Sequence, residues 1–219
     1  MPGECCRIGN VWIAYSGAGW NNASAASEQL IDRGVNQLIS WGCAAGISNT
    51  LRPGDLVLAS EVVSTTHHYA IDSLLLQELQ QRLGSEISIF AGKLFSSKEL
   101  IGNRKQKQQI HSDSQAIALD MESAAIAETA QRANIPCLVI RSIADPASQD
   151  LPQAVITALN DQGQVELTRL ISHLLCHPWE LGDLIRLGLN FRAAQKTLKK
   201  VCKIMGLLET KSLTAEIIG

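Results

Sequence analysis

The stretch "AIALDMESAAIAETAQRANIPCLVIRSIAD", residues 116–145, decides the fold. "AIALDM" is a short apolar run. "ESAAIAETAQRAN" is rich in alanine and other helix formers, and "PCLVIRSIAD" is a continuous apolar run with β-branched residues. Strand, helix and strand in that order form a crossover unit, and a strand apolar on both faces belongs inside a sheet covered by helices. Both strands end in carboxylates: Asp120 and Glu122 close the first, and Asp145, before Pro146, closes the second.

The same alternation extends outward in both directions. "NVWIAYSGAG" and "NQLISWGCAAG" each read as a strand running into a glycine turn, with the helix "WNNASAASEQLIDRG" between them. "LRPGDLVLASEVV" follows as turn and strand, then the helix "IDSLLLQELQQRLG", the strand "EISIFAGKLF" and a helix around "SSKELIGNRKQKQQIHS". The expected architecture is α/β, a single domain with a mixed, mostly parallel central sheet flanked by helices. Residues 1–175 form that domain, and residues 176–219 a C-terminal helical extension packed on it.

The chain has 219 residues, 46% of them hydrophobic and 18% charged, enough apolar material for one sizeable core. A net charge of -2 argues against nucleic acid as the partner, since phosphate backbones require a concentrated basic surface. The six cysteines show no C-x-x-C pair or framework spacing, which points to free thiols in a reducing compartment and hence to a cytoplasmic location. "MPGECCRIGN" lacks the layout of a signal peptide, and no apolar run is long enough to span a membrane.

In sheets of this kind the ligand crevice lies beyond the carboxyl ends of the strands. Four such ends carry candidates: Ser16 to Gly19, Gly42 to Gly46, Asp120 to Glu122, and Arg141 to Asp145. Glu122, at a strand-to-helix junction, suits a helix cap as well as a binding role, and Asp145 suits a turn before proline as well as an acid. Two acids at one sheet edge also suit a division of labour. A carboxyl against apolar walls keeps a raised pKa and donates a proton, while an ionised one grips hydroxyls. That pairing fits cleavage of a bond between a sugar and a base.

At these residues the chain resembles the nucleoside phosphorylase and nucleosidase superfamily. "ALDMESAAIAETA" followed by "VIRSIADPA" is similar to its signature. The resemblance implies that Met121 packs on the ribose, that Glu122 binds its hydroxyls, and that Asp145 protonates the purine at N7. "SGAG" and "WGCAAG" are similar to the turns beside the nucleophile. They imply water or phosphate near Ser16, Gly17, Gly42 and Cys43, with Arg141 either holding it or forming an internal salt bridge. "AGKLFSS" resembles the base-recognition loop, with Phe95 stacking on the purine and the backbone at Ser96 reading its edge. No cofactor is implied beyond phosphate as a candidate co-substrate, and homo-oligomers are common in the family. "RSIADPASQDLPQAV", "DQGQVEL" and "HPWELGDLIRLGLNFRAAQKTL" look like hopanoid-associated members, which implies release of adenine from adenosylhopane. Methylthioadenosine/S-adenosylhomocysteine nucleosidase activity is the alternative substrate reading, and a catalytically impaired nucleoside-binding protein a further one.

Two departures stand out. Family members open with a further strand and an active-site loop for which the residues before "NVWIAYSG" have no matching motif. Bacterial phosphorylases carry an arginine three residues before the serine of the second turn, where this chain has Ser40 and Cys43. Hydrolysis and phosphorolysis both stay open.

Elsewhere, His173, Cys176 and His177 have helical spacing without a further ligand set, so no metal is expected. His67 and His68 read as solvated loop residues, and Cys5 and Cys6 as frayed terminal thiols. Leu181, Leu184, Ile185, Phe191, Ala194, Leu198, Val201 and Met205 approximate one face of a basic helix within residues 179–205. Such a face either packs on the sheet or a second subunit, or makes a peripheral membrane contact.

Overall fold

The computed structural model describes residues 3–160 and 165–207. The end of the C-terminal extension and part of "DQGQVEL" lie outside the described residues. In chain order the elements are β1 (Cys5–Ile8), β2 (Val11–Ala14), α1 (Trp20–Asp32), β3 (Leu38–Gly46), β4 (Leu56–Val63), β5 (His68–Ala70), α2 (Ser73–Gly84) and β6 (Ile89–Ser96). Then come α3 (Arg104–Ser114), β7 (Ala118–Asp120), α4 (Ser123–Arg132), β8 (Cys137–Asp145), α5 (Gln153–Ala158), α6 (Leu167–Cys176), a 3-10 turn (Pro178–Glu180) and α7 (Leu181–Met205).

β8 is the centre. All nine of its residues are buried, as a strand apolar on both faces requires. It runs parallel to β3 from Leu38↔Cys137 to Ala45↔Asp145 and antiparallel to β4 at Leu56↔Ser142, Val57↔Arg141 and Leu58↔Ile140. β4 also pairs with β6, β6 with β7 and β7 with β3, so the strands close into a ring, β4-β6-β7-β3-β8, with β5 attached to β4. The longest ladders, β3–β8 and β4–β6, are parallel, whereas β3–β7, β4–β8 and β4–β5 are antiparallel. Register shifts at Ala44/Ala45 and Ala59/Glu61 fall in the two long ladders, where bulges add the coiling a closed sheet needs.

The helices pack on this ring for reasons legible in their composition. α1 and α4 pack against each other, and both bury small residues: Ala23, Ala26 and Ser27 on α1, and Ala124, Ala125, Ala127 and Ala130 on α4. α3 starts at Arg104 rather than within "SSKEL", because the Asn103 side chain accepts from the N–H groups of Lys105 and Gln106 and fixes the cap there. α7 crosses β8 and buries Ala194, Leu198 and Val201. Gly54, at φ +91°, passes so close that a Cβ there would lie 3.4 Å from Ala193 Cβ, and its carbonyl accepts from Thr197 Oγ1 at 2.7 Å. The face expected for this helix divides in two. Its second half is packed on the sheet, while Leu181, Ile185 and Phe191 in its first half are exposed.

Three details depart from expectation. "WGCAAG" is no turn: β3 continues through Gly46, laddered to β8 as far as Ala45 and to β7 at Ala45 and Gly46. Cys5 and Cys6 are not frayed but form β1, which joins β2 through Gly9 and Asn10 in a hairpin outside the ring. His68 begins the short edge strand β5 and bonds Glu61 at 2.9 Å.

Candidate active site

The two acid-bearing strand ends lie on either side of β3. Ala45 pairs with Asp145 on β8 and with Leu119 on β7, so Asp145 and the residue before Asp120 stand in one row. Two strand spacings separate them, about 10 Å, roughly the length of a nucleoside. Ser96, the last residue of β6, pairs with Asp120 and brings Phe95 to the same edge.

Asp120 and Glu122 do different work. Asp120 is buried and receives Arg141 Nη2 at 2.6 Å and Nε at 2.9 Å, together with the Ser123 N–H at 3.2 Å. It therefore neutralises an internal guanidinium and caps α4. Glu122 turns the other way. Its Oε1 accepts the Gly19 N–H at 2.9 Å and its Oε2 the Met121 N–H at 3.3 Å, tying the first glycine turn to the start of α4. Burial raises the Glu122 pKa, and Asp120 adds to the rise. Arg141 and the two N–H donors oppose it.

Arg141 is 2% exposed, and besides Asp120 it donates to Ser40 Oγ at 2.7 Å and Ser123 Oγ at 3.0 Å. The internal ion pair, rather than an anion-holding arm, is the arrangement found. Gly42 serves that pair, since a Cβ there would meet Arg141 Nη1 at 3.3 Å. With Gly42 to Gly46 laddered in β3, their N–H groups do not form the anion-binding nest expected of a turn. Cys43 is half-buried, and desolvation pushes its thiol up to about 11 even with Arg141 opposing, so it is neutral near pH 7. Ser16 Oγ donates to Gly17 O at 2.8 Å.

Asp145 is 8% exposed. Burial raises its pKa. Lys107, whose Nζ lies 2.6 Å from Oδ2, opposes the rise, and Asp150 adds to it. Phe95 is half-buried against the small cluster of Ile47, Val63, Ala116 and Leu119. Ser96 is buried, with its hydroxyl accepting the Ala124 N–H at 3.1 Å, so it too caps α4. Met121 is half-buried at the same junction.

Lys107 is the buried neighbour of Asp145 that sequence reasoning missed. It stands in the polar run "RKQKQQ", and its one signal is that Ile110 and Ser114 share its helix face at i+3 and i+7. Away from this edge, His173 Nε2 lies 3.1 Å from Glu180 Oε1 and its ring stacks on His177. Among the described residues no group of three or more His, Cys, Asp or Glu is arranged to hold a metal ion. Nor is any helix among them long and apolar enough to cross a membrane.

Comparison with known proteins gives the family and the fold. A family model described as the phosphorylase superfamily matches residues 5–175. A 5'-methylthioadenosine/S-adenosylhomocysteine nucleosidase of Desulfotalea psychrophila is 32% identical over 62% of this chain and 66% of its own length. One from Maridesulfovibrio salexigens is 28% identical over 77% and 83%. The nucleosidase of the same name from Neisseria meningitidis, solved in complex with methylthio-immucillin-A, superposes with a TM-score of 0.68. It has 18% identity and covers 94% of this chain and 90% of that one, a likeness of fold.

Proposed function

Because the chain belongs to the phosphorylase superfamily, we propose that it cleaves the N-glycosidic bond of a purine nucleoside, releasing adenine from an adenosine modified at its 5′ position. The observation that supports this reading is the row Asp145–Ala45–Leu119, in which a buried acid stands two strands from β7, whose chain runs antiparallel to β3 and β8 as it leads into Met121 and Glu122. Asp145, in its protonated form, gives its proton to N7 as the C1′–N9 bond breaks and the bonding electrons pass to the base. Glu122 holds the ribose hydroxyls while positive charge develops at C1′, and Phe95 and Met121 enclose base and sugar. Water attacks C1′ near Ser16 and Cys43, and its released proton restores the acid.

Hydrolysis is favoured over phosphorolysis because both buried cations near the edge are spent: Arg141 on Asp120 and Lys107 on Asp145. Relatives named nucleosidases support the same reading. Adenine release measured by chromatography should proceed without phosphate and gain nothing from its addition. Strict dependence on phosphate would overturn the hydrolytic assignment. Nucleoside binding without turnover would shift the reading to a catalytically impaired binding protein.

For the 5′ substituent, the C-terminal resemblance favours adenosylhopane, and the relatives' names favour methylthioadenosine or S-adenosylhomocysteine. The exposed apolar residues of α6 and α7 side with a lipid. Leu175 is 80% exposed and Trp179 72%, and Ile171, Ile185 and Leu189 are also exposed, with Arg186 and Arg192 on the same helix as the last two. Arg186 pairs with Asp183 at 3.3 Å, and the further basic residues of α7, Lys196, Lys199, Lys200 and Lys203, follow toward its C-terminus; a helix of this composition suits peripheral contact with anionic lipid. The parent should float with phosphatidylglycerol vesicles, and Ile185→Glu/Leu189→Glu should not. Dimerisation through this face without flotation would overturn the membrane contact.

A further inference from the structure

Lys107 lies in one of the most polar stretches of the chain, yet it is 0% exposed. Its ammonium has three N–H donors, and three acceptors meet them: Asp145 Oδ2 at 2.6 Å, Gln149 O at 2.9 Å and Pro146 O at 3.3 Å. All three acceptors belong to the segment that begins at the acid itself. That segment is clipped back to α3 a fourth time, where the Arg104 N–H donates to Asp150 Oδ1. Removing an ammonium from water is costly unless it is paired, and holding this loop to α3 requires hydrogen bonds but no net charge. A charge is required only for something charged, and Asp145 is the one carboxylate the ammonium touches.

We propose that Lys107 is the positioning residue of the acid, engaging Oδ2 of Asp145 so that Oδ1 alone is left to carry a proton to the base. The proposal rests on the acid role assigned to Asp145 above. Two charged groups face the carboxyl: Lys107 from α3, which favours its ionised form, and Asp150 from the loop after β8, which disfavours it. Burial of the carboxyl works in the same direction as Asp150. Lys107 thus keeps the acid from holding its proton too tightly to release it.

The sign of the effect follows. Without the ammonium the carboxylate loses its counter-charge and its pKa rises. The basic limb of the rate profile, where the acid ionises and turnover falls, then moves to higher pH. Full-length Lys107→Met, Lys107→Gln and Lys107→Arg should be compared with the parent in the pH dependence of kcat/KM. They should also be compared by carbon NMR titration of the Asp145 carboxyl, assigned with Asp145→Asn. Lys107→Gln keeps hydrogen-bond donors without the charge and serves if the methionine variant does not fold. The uncharged variants should titrate higher by at least about one pH unit and lose about 10-fold or more in kcat, and Lys107→Arg should restore the parental limb. An Asp145 titration unchanged in the uncharged variants overturns the role of Lys107, whether or not any form turns over. A parent that releases no adenine, with a shifted titration in the variants, overturns the glycosidic reading and leaves the charge coupling in place.

Discussion

Asp145→Asn is expected to lower kcat/KM for adenine release by about 10² to 10⁴-fold. The substitution preserves shape, and the amide oxygen can still accept from Lys107 Nζ, so the clip between α3 and the loop after β8 survives. What disappears is the transferable proton. The base must then leave without protonation at N7, while the groups that hold the ribose are unaffected. The loss should therefore fall on kcat with little change in nucleoside binding. Steady-state kinetics beside a thermal melt separate this from unfolding. Parental turnover in a folded Asp145→Asn protein would remove Asp145 from the chemistry.

Arg141→Met should cost about 3–5 kcal/mol of stability, the penalty for stranding a buried carboxylate. Asp120, itself buried, would keep only the bonds from Ser123, and Ser40 would lose its guanidinium donor. Because Asp120 also caps α4, the damage should spread to the helix that begins at Glu122. The double variant Asp120→Asn/Arg141→Met removes the orphaned charge and should recover part of the loss, since the two residues are coupled. Urea unfolding of the parent, both single variants and the double variant reads this directly. Had Arg141 served phosphate instead, Arg141→Met would leave stability near the parental value and depress only phosphate-dependent turnover.

The alternation of apolar runs and helix formers was enough to place the long strands and most helices, because each of those signals is local. Ring closure was not, since the antiparallel pairing of Leu56 with Ser142 joins residues far apart, and neither run carries a mark of its partner. β1 is masked by its cysteines and Arg7, and β5 by its brevity. Asp120, Glu122 and Asp145 were visible because carboxylates at the ends of apolar strands are out of place unless used. The partition of work between Asp120 and Glu122 was not, because it depends on which way each side chain turns. "WGCAAG" looked like a turn because glycine is frequent in turns, whereas Gly42 is there to leave room for a guanidinium from the neighbouring strand. Lys107 was hidden for a related reason: a buried lysine and an exposed one are the same letter, and its partner lies 38 residues away.

The most direct test of the central claim is the structure of a complex with a non-cleavable 5′-modified adenosine analogue. The account predicts Oδ1 of Asp145 within about 2.6–3.2 Å of N7 or the atom replacing it, the Glu122 carboxylate on the ribose hydroxyls, and Lys107 still on Oδ2. A nucleoside bound away from this edge, or one that touches Glu122 while Asp145 faces protein alone, would contradict it.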